Sequence, residues 1–239
     1  MAIGEKGYLL GRARRWFWPS TVMLGIMMLW SVMSAALYPA LLERVVIEDN
    51  TAFMIAGIQT LLHTAALVTI MAVYGLRNKI KAFKTMFLIM GGLYVLSAFG
   101  HYVTNYYVSY ILQFHGQLTD AMLHVIGIVS LALQAAWIAF AVIVICQRRT
   151  GGVLRLSAIV MLAAQLATIA YRYGYGALYE WMNQRYDMMT ASSLTWFLGL
   201  VMVLITYVPI IFLLGAMSFS RMKAVPETGE TDGPDFPQV

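Results

Sequence analysis

The run 192–220, SSLTWFLGLVMVLITYVPIIFLLGAMSFS, contains no charged residue. A helix that crosses the roughly 30 Å hydrocarbon core of a bilayer needs about 20 predominantly apolar residues. This run is long enough, and in lipid the backbone N–H and C=O groups must find their partners within the segment itself. It therefore predicts a transmembrane helix.

Five earlier runs share this character, with Arg172 their only charged residue, and they lie at 20–42, 51–76, 85–112, 121–147 and 156–176. Together the six runs predict an all-α fold, a polytopic membrane helix bundle with six transmembrane helices. We expect an interfacial or cytoplasmic N-terminal segment at 1–19, a transmembrane domain at 20–220 and a disordered, acidic cytoplasmic tail at 221–239.

The composition supports a membrane protein. Hydrophobic residues make up 61% of the chain and charged residues 11%, where ordinary soluble domains carry about 25% charged residues. The one cysteine, Cys146, excludes an internal disulfide. The chain also lacks nucleotide-binding, zinc-protease and serine-hydrolase motifs, so the sequence provides no catalytic residues.

Basic residues predict the orientation, because short cytoplasmic loops are enriched in Lys and Arg. All but three of the 16 Lys and Arg residues fall before the first run, after the second, after the fourth or after the sixth. The exceptions are Arg44, Arg172 and Arg185. We expect both termini in the cytoplasm and a multi-pass protein of the inner (plasma) membrane. Because this asymmetry accounts for the net charge of +5, the charge gives no support to nucleic-acid binding.

Ionisable side chains inside the runs are the candidate functional residues, since they are costly in lipid and usually face a bundle interior, a partner or a cavity. His63 lies in the middle of the second run, His101 in the outer half of the third and Arg172 near the end of the fifth. Counting from the outer ends of the runs predicts similar depths for His63 and His101 on antiparallel neighbours.

One interpretation of these residues is a haem b or quinone site. His63 and His101 would be axial ligands of a haem held between two helices. Arg172 and tyrosines such as Tyr102 and Tyr173 would hold a propionate or a quinone.

A second interpretation is a metal site near the outer surface, in the stretch GHYVTNYYVSYILQFHGQLTDAMLH at 100–124. His101, Asp120 and His124, with His115 as a further candidate, would bind copper, zinc or iron, because imidazole and carboxylate suit these metals. The spacing of Asp120 and His124 puts both on one helical face. Asp120 also fits a helix N-cap.

A third interpretation needs no ligand. His63 and His101 would form hydrogen bonds between helices, and Arg172 would extend its guanidinium to the interface. The outer tyrosines would form an interfacial aromatic belt.

A shift of 71 residues also superimposes the second and third runs on the fourth and fifth, which is the pattern of a duplicated hairpin.

The leading functional hypothesis is an integral membrane subunit of a larger respiratory or redox complex, with lipid and other membrane subunits as partners. Its ligand site would lie in the outer half of the bundle. The alternative is a small-solute permease or channel that uses the same polar residues.

Overall fold

The structure is a computed structural model, and it describes residues 7–42, 49–102 and 116–222. Within those ranges the side chains of several short stretches are not described, namely 34–42, 49–57, 59–60, 101–102, 116–122 and 188–189.

Six long helices make up nearly all of the described chain, which confirms the predicted all-α bundle. A short 3-10 helix, Gly11–Trp16, precedes them. The helices are α1 Phe17–Leu42, α2 Asp49–Arg77, α3 Lys81–Tyr102, α4 Gly116–Cys146, α5 Gly152–Arg185 and α6 Met188–Phe219.

Each helix packs against the next one in the sequence, and α6 packs against α1. The helices therefore form a closed ring in chain order. Five of them are long and apolar enough to span a membrane, and the described side-chain part of α2 adds a shorter apolar helix, Leu61–Arg77. Large apolar side chains on the outside of the ring, such as Leu62 and Ile128, are 66% exposed, as expected of surfaces that face lipid.

Buried aromatic side chains pack together at one end of the ring. Phe87 contacts Tyr74 at 5.7 Å between ring centroids and Phe140 at 4.8 Å. Phe83 meets Phe140 edge-on at 5.3 Å. All four side chains are fully buried, and they join α2, α3 and α4. The Tyr74 hydroxyl adds a link to α6 through Ser218 Oγ at 2.7 Å.

The short connections at this end of the ring are basic, so we call it the basic end. The N-terminal segment lies across it: Leu9 N donates to Ser220 O at 3.0 Å, and Lys79 N donates to Leu9 O at 3.1 Å. Leu9 and Leu10 are buried. The predicted surface segment 1–19 therefore includes residues that pack under the helices, and α1 starts at Phe17, three residues before the predicted run.

Tyr8 fixes this segment to the end of α6. It forms an antiparallel bridge with Arg221, whose Nη2 donates to the Tyr8 hydroxyl at 2.9 Å. The Arg14 guanidinium lies over the same ring, 4.2 Å from its centroid. The hydrogen bond from Arg221, followed by that from Arg14, lowers the pKa of Tyr8 below its usual value.

At the opposite end of the ring, the prediction for the last two helices is wrong in one respect. The predicted runs 156–176 and 192–220 leave the polar stretch 177–191 as a loop between them. In the structure α5 continues to Arg185 and α6 begins at Met188. Asp187 caps α6 by accepting from Thr190 N at 3.3 Å. A fall in hydrophobicity predicts where a helix leaves the lipid. By itself it does not predict where the helix ends.

Candidate functional site

His63 lies on the inner face of α2, together with the buried Leu67, Ile70 and Tyr74 at helical spacing. The same periodicity on α6 turns Tyr207 toward it. The Tyr207 hydroxyl and His63 Nδ1 are 2.8 Å apart, and the two rings meet edge-on with centroids 5.7 Å apart. The imidazole is half-buried, so packing and a hydrogen bond both fix its orientation.

Ser31 of α1 extends this contact to a third helix. Its Oγ lies 3.3 Å from the Tyr207 hydroxyl. If Ser31 donates to Tyr207 and Tyr207 donates to Nδ1, His63 carries its proton on Nε2. The opposite order would make Nδ1 the donor and leave Nε2 with a free lone pair. The hydroxyls can therefore stabilise either tautomer of His63.

A pocket of about 370 Å³ adjoins His63 between α1 and α2. Such a volume falls within the range of roughly 300–1,000 Å³ that small-molecule sites occupy. Apart from Ser31 and His63, the described residues that line it are apolar, namely Ile26, Met27, Trp30, Ile58 and Leu62. We call it the His63 pocket.

The mouth of the His63 pocket opens on the outside of the ring. Ile26 is 61% exposed, Ile58 55% and Leu62 66%. At 1.5 Å per residue, His63 lies roughly 21 Å along α2 from Arg77, and Tyr207 lies roughly 18 Å along α6 from Phe219. In a hydrocarbon core of ~30 Å that starts at these helix ends, the pocket would thus open to lipid roughly 3–6 Å beyond the midplane, on the side away from the basic end.

The similar depth of His63 and His101 stays a prediction, which the α2–α3 register supports. The α2–α3 register pairs Met71 with Gly91, and Gly75 with Leu88. Continued outward, it places position 101 opposite position 61, about 3 Å along the axis from His63. The side chains of His101 and Tyr102 lie outside the described part, so their role as ligands stays a prediction.

Arg172 belongs to a different part of the ring. Its Nη1 donates to Ser130 Oγ on α4 at 3.1 Å, and the side chain is exposed. The described contacts join Arg172 to α4 and His63 to α6, and none of them joins the two residues to each other. Tyr173, the next residue on α5, is 68% exposed, which suits an aromatic belt.

The predicted metal ligands are only partly described. Asp120 and His124 both lie in α4, on one face at i, i+4 spacing. Because α4 begins at Gly116, Asp120 is inside the helix, so its assignment as an N-cap is wrong. His124 is exposed. The side chains that the structure describes include no group of three His, Cys, Asp or Glu residues able to hold a metal ion, but those of His101, His115 and Asp120 lie outside that set.

Sequence reasoning missed Tyr207 and Ser31, which form a hydrogen-bonded chain with His63, and Trp30, which lines the same pocket. A hydroxyl in the middle of an apolar run was the available signal for the first two, but the ring order of the helices is needed to bring them to His63. A second polar contact in the interior was also missed: Trp137 Nε1 donates to the Tyr94 hydroxyl at 3.0 Å. One turn away, Gln134 Oε1 is buried without a hydrogen-bond partner among the described residues.

Comparison with known proteins identifies no relative. No family model matches the chain, and neither a curated protein nor a solved structure shows significant similarity to it.

Proposed function

We propose that the protein is an integral membrane subunit that binds a lipid-soluble quinone in the His63 pocket. The observation that carries this proposal is the imidazole of His63, fixed by Tyr207 beside an apolar pocket that opens on the outside of the ring. A quinone has a flat apolar ring, two carbonyl oxygens and an apolar tail. It needs apolar walls, a hydrogen-bond donor and access from lipid.

The hydrogen-bonded chain of Ser31, Tyr207 and His63 can supply the donor that a quinone carbonyl needs. With Tyr207 donating to Nδ1, the Nε2–H group of His63 would donate to a quinone carbonyl oxygen. Trp30, 51% exposed at the pocket, offers an aromatic face for the ring, and aromatic pairs are favourable at centroid distances of 4.5–7 Å. The exposed Ile58 and Leu62 would contact the start of the tail. In this proposal the subunit anchors and supplies quinone to a larger redox complex.

Haem b, the other cofactor expected from the sequence, fits this pocket less well. The volume of about 370 Å³ suits a single substituted ring better than a macrocycle with propionates. The second axial ligand would have to be His101, whose side chain lies outside the described part. The described lining residues of the pocket include no charged side chain, which likewise favours an uncharged ligand over a polar solute.

Tryptophan fluorescence tests the proposal directly, because a bound quinone quenches a nearby indole. Decylubiquinone is titrated into the full-length protein in nanodiscs, with empty nanodiscs as the partition control. We expect saturable quenching that is strongly reduced in Trp30→Phe, the variant that removes the reporting ring. His63→Leu and the pocket-filling Ile58→Trp should weaken binding at least tenfold, the latter read from competition with a labelled quinone.

His124→Ala is the matched control, since it removes an exposed histidine remote from the pocket. Quenching that stays linear with quinone, or that is the same in wild type and both pocket variants, would refute quinone binding. A Soret band in the purified protein that disappears in His63→Leu would replace quinone by haem. Solute flux into proteoliposomes that depends on Arg172 would instead favour the permease.

A further inference from the structure

A second concave surface lies at the basic end, outside the ring. It runs along the last turns of α6, between Phe17 at the start of α1 and Val153 at the start of α5, and encloses about 540 Å³. We call it the basic-end groove. It is separate from the His63 pocket, and the described linings of the two have no residue in common.

The walls of the basic-end groove are apolar and outward-facing. Phe17 packs edge-on against Phe219 with ring centroids 4.7 Å apart. Phe219 is 57% exposed, Val153 64% and Phe212 38%. These side chains lie on the outside of a membrane bundle, so an acyl chain is the natural occupant of the space between them.

One end of the groove is cationic. Arg221 lines it, and stacking on Tyr8 at 4.8 Å, together with the hydrogen bond to the Tyr8 hydroxyl, holds the guanidinium in place. A guanidinium has five N–H donors, and this bond uses one of them. The groove thus has a polar end at the last turn of α6 and an apolar body along α6.

The described residues at the basic end provide no counter-charge. Every Asp and Glu in the described part of the chain belongs to the opposite end, namely Asp49, Asp120, Glu180 and Asp187. Arg221, with Arg14 stacked on the same Tyr8 ring, therefore forms a cationic end to the apolar groove. Basic pockets between transmembrane helices are places where anionic lipid headgroups bind.

We propose that the basic-end groove binds an anionic phospholipid, with its phosphate at Arg221 and an acyl chain along Phe212, Phe219 and Val153. An anionic phospholipid accounts for both the cationic end and the apolar body of the groove. The acidic segment 223–239 that follows is a competing occupant, but Phe236 is its only aromatic residue and Ile, Leu and Met are absent from it. It would therefore match the charge of the groove and leave most of its apolar wall uncovered.

Native mass spectrometry of the full-length protein with dioleoyl phosphatidylglycerol and dioleoyl phosphatidylcholine tests the proposal. We expect preferential retention of phosphatidylglycerol in wild type. Arg221→Gln should lose affinity for it about fivefold, the factor that one basic residue near an anionic surface contributes. Val153→Trp, at a site exposed enough to accept the larger ring, should reduce retention of both lipids by filling the groove.

Arg148→Gln is the matched control, because it removes an exposed charge from the same end without altering the groove lining. Equal retention of the two lipids by wild type, or equal losses in Arg148→Gln and Arg221→Gln, would overturn the proposal. Competition by millimolar inorganic phosphate would indicate a simple anion site. Lipid retention that appears only after residues 224–239 are deleted would assign the groove to the tail.

Discussion

A hydrogen bond between Tyr207 of α6 and His63 of α2 crosses the interior of the ring, with the hydroxyl oxygen 2.8 Å from Nδ1. Eleven residues along α2, Tyr74 makes a similar link to α6 through Ser218. Two polar contacts at different depths thus join the same pair of helices. Apolar packing alone would allow α2 and α6 to slide or rotate, and these contacts set their register.

The first prediction concerns the contact between Tyr207 and His63, which is the farther of the two from the basic end. Tyr207→Phe should lower the free energy of unfolding by about 0.6 kcal/mol and at most ~1.7 kcal/mol, the range measured for hydrogen bonds between membrane helices. Titration with sodium dodecyl sulfate in mixed micelles measures it. In the double variant with His63→Leu, the two losses should be less than additive. Full additivity would mean that the hydrogen bond contributes nothing.

The second prediction concerns Tyr74, which is fully buried. Tyr74→Phe should cost about 1 kcal/mol, the usual net value of one hydrogen bond, with Ser218→Ala costing a similar amount. Thr206→Val is a suitable comparison, because its Oγ1 donates only to Met202 O within its own helix. If Thr206→Val and Tyr74→Phe lower the free energy of unfolding equally, the hydrogen bond between α2 and α6 contributes no more than one within a helix.

The third prediction concerns the aromatic core. Phe140 contacts Phe83 and Phe87. Phe→Ala costs ~3–5 kcal/mol in soluble cores, but lipid is itself apolar, so only the lost packing should remain. We expect Phe140→Ala to cost about 2 kcal/mol, below the range for soluble cores, because the cavity part of the cost remains when the transfer part is lost. Phe197→Ala, at a 56% exposed position, should have little effect. Comparable losses at the two sites would contradict the described core.

The fourth prediction uses pH. Because Arg221 and Arg14 lower the pKa of Tyr8, the phenolate of Tyr8 is favoured in the folded protein. The stabilising effect should develop as pH rises through the folded pKa toward 10, and it should be absent at lower pH. A ¹³Cζ-tyrosine titration, with the Tyr8 resonance assigned by Tyr8→Phe, measures the pKa. Arg221→Gln should raise it, whereas an unchanged titration would contradict the contact.

The sequence predicts the helices well because each one must contain an apolar run long enough to cross the bilayer, and this can be read from one segment at a time. Residues 192–220 are enough to identify α6, and the basic residues identify which turns share an end. The limits of α5 were missed because apolarity measures contact with lipid, while α5 continues as a helix beyond its apolar run to Arg185.

The site is less predictable from sequence because it depends on which helices are neighbours. His63 stands out in the sequence as an imidazole within an apolar run. Its partner Tyr207 is 144 residues away, and only closure of the ring, with α1 packed against both α2 and α6, brings the two side chains together. The same order separates His63 from Arg172, two residues that a count of depth alone would combine into one cluster.

The bond from Leu9 N to Ser220 O constrains the order of events during biosynthesis. Leu9 leaves the ribosome at the start of translation, and its acceptor emerges only after the sixth helix has been made. Closure of this end must therefore be a late step of insertion, and nascent chains that stop before Ser220 should leave Leu9 and Leu10 open to protease.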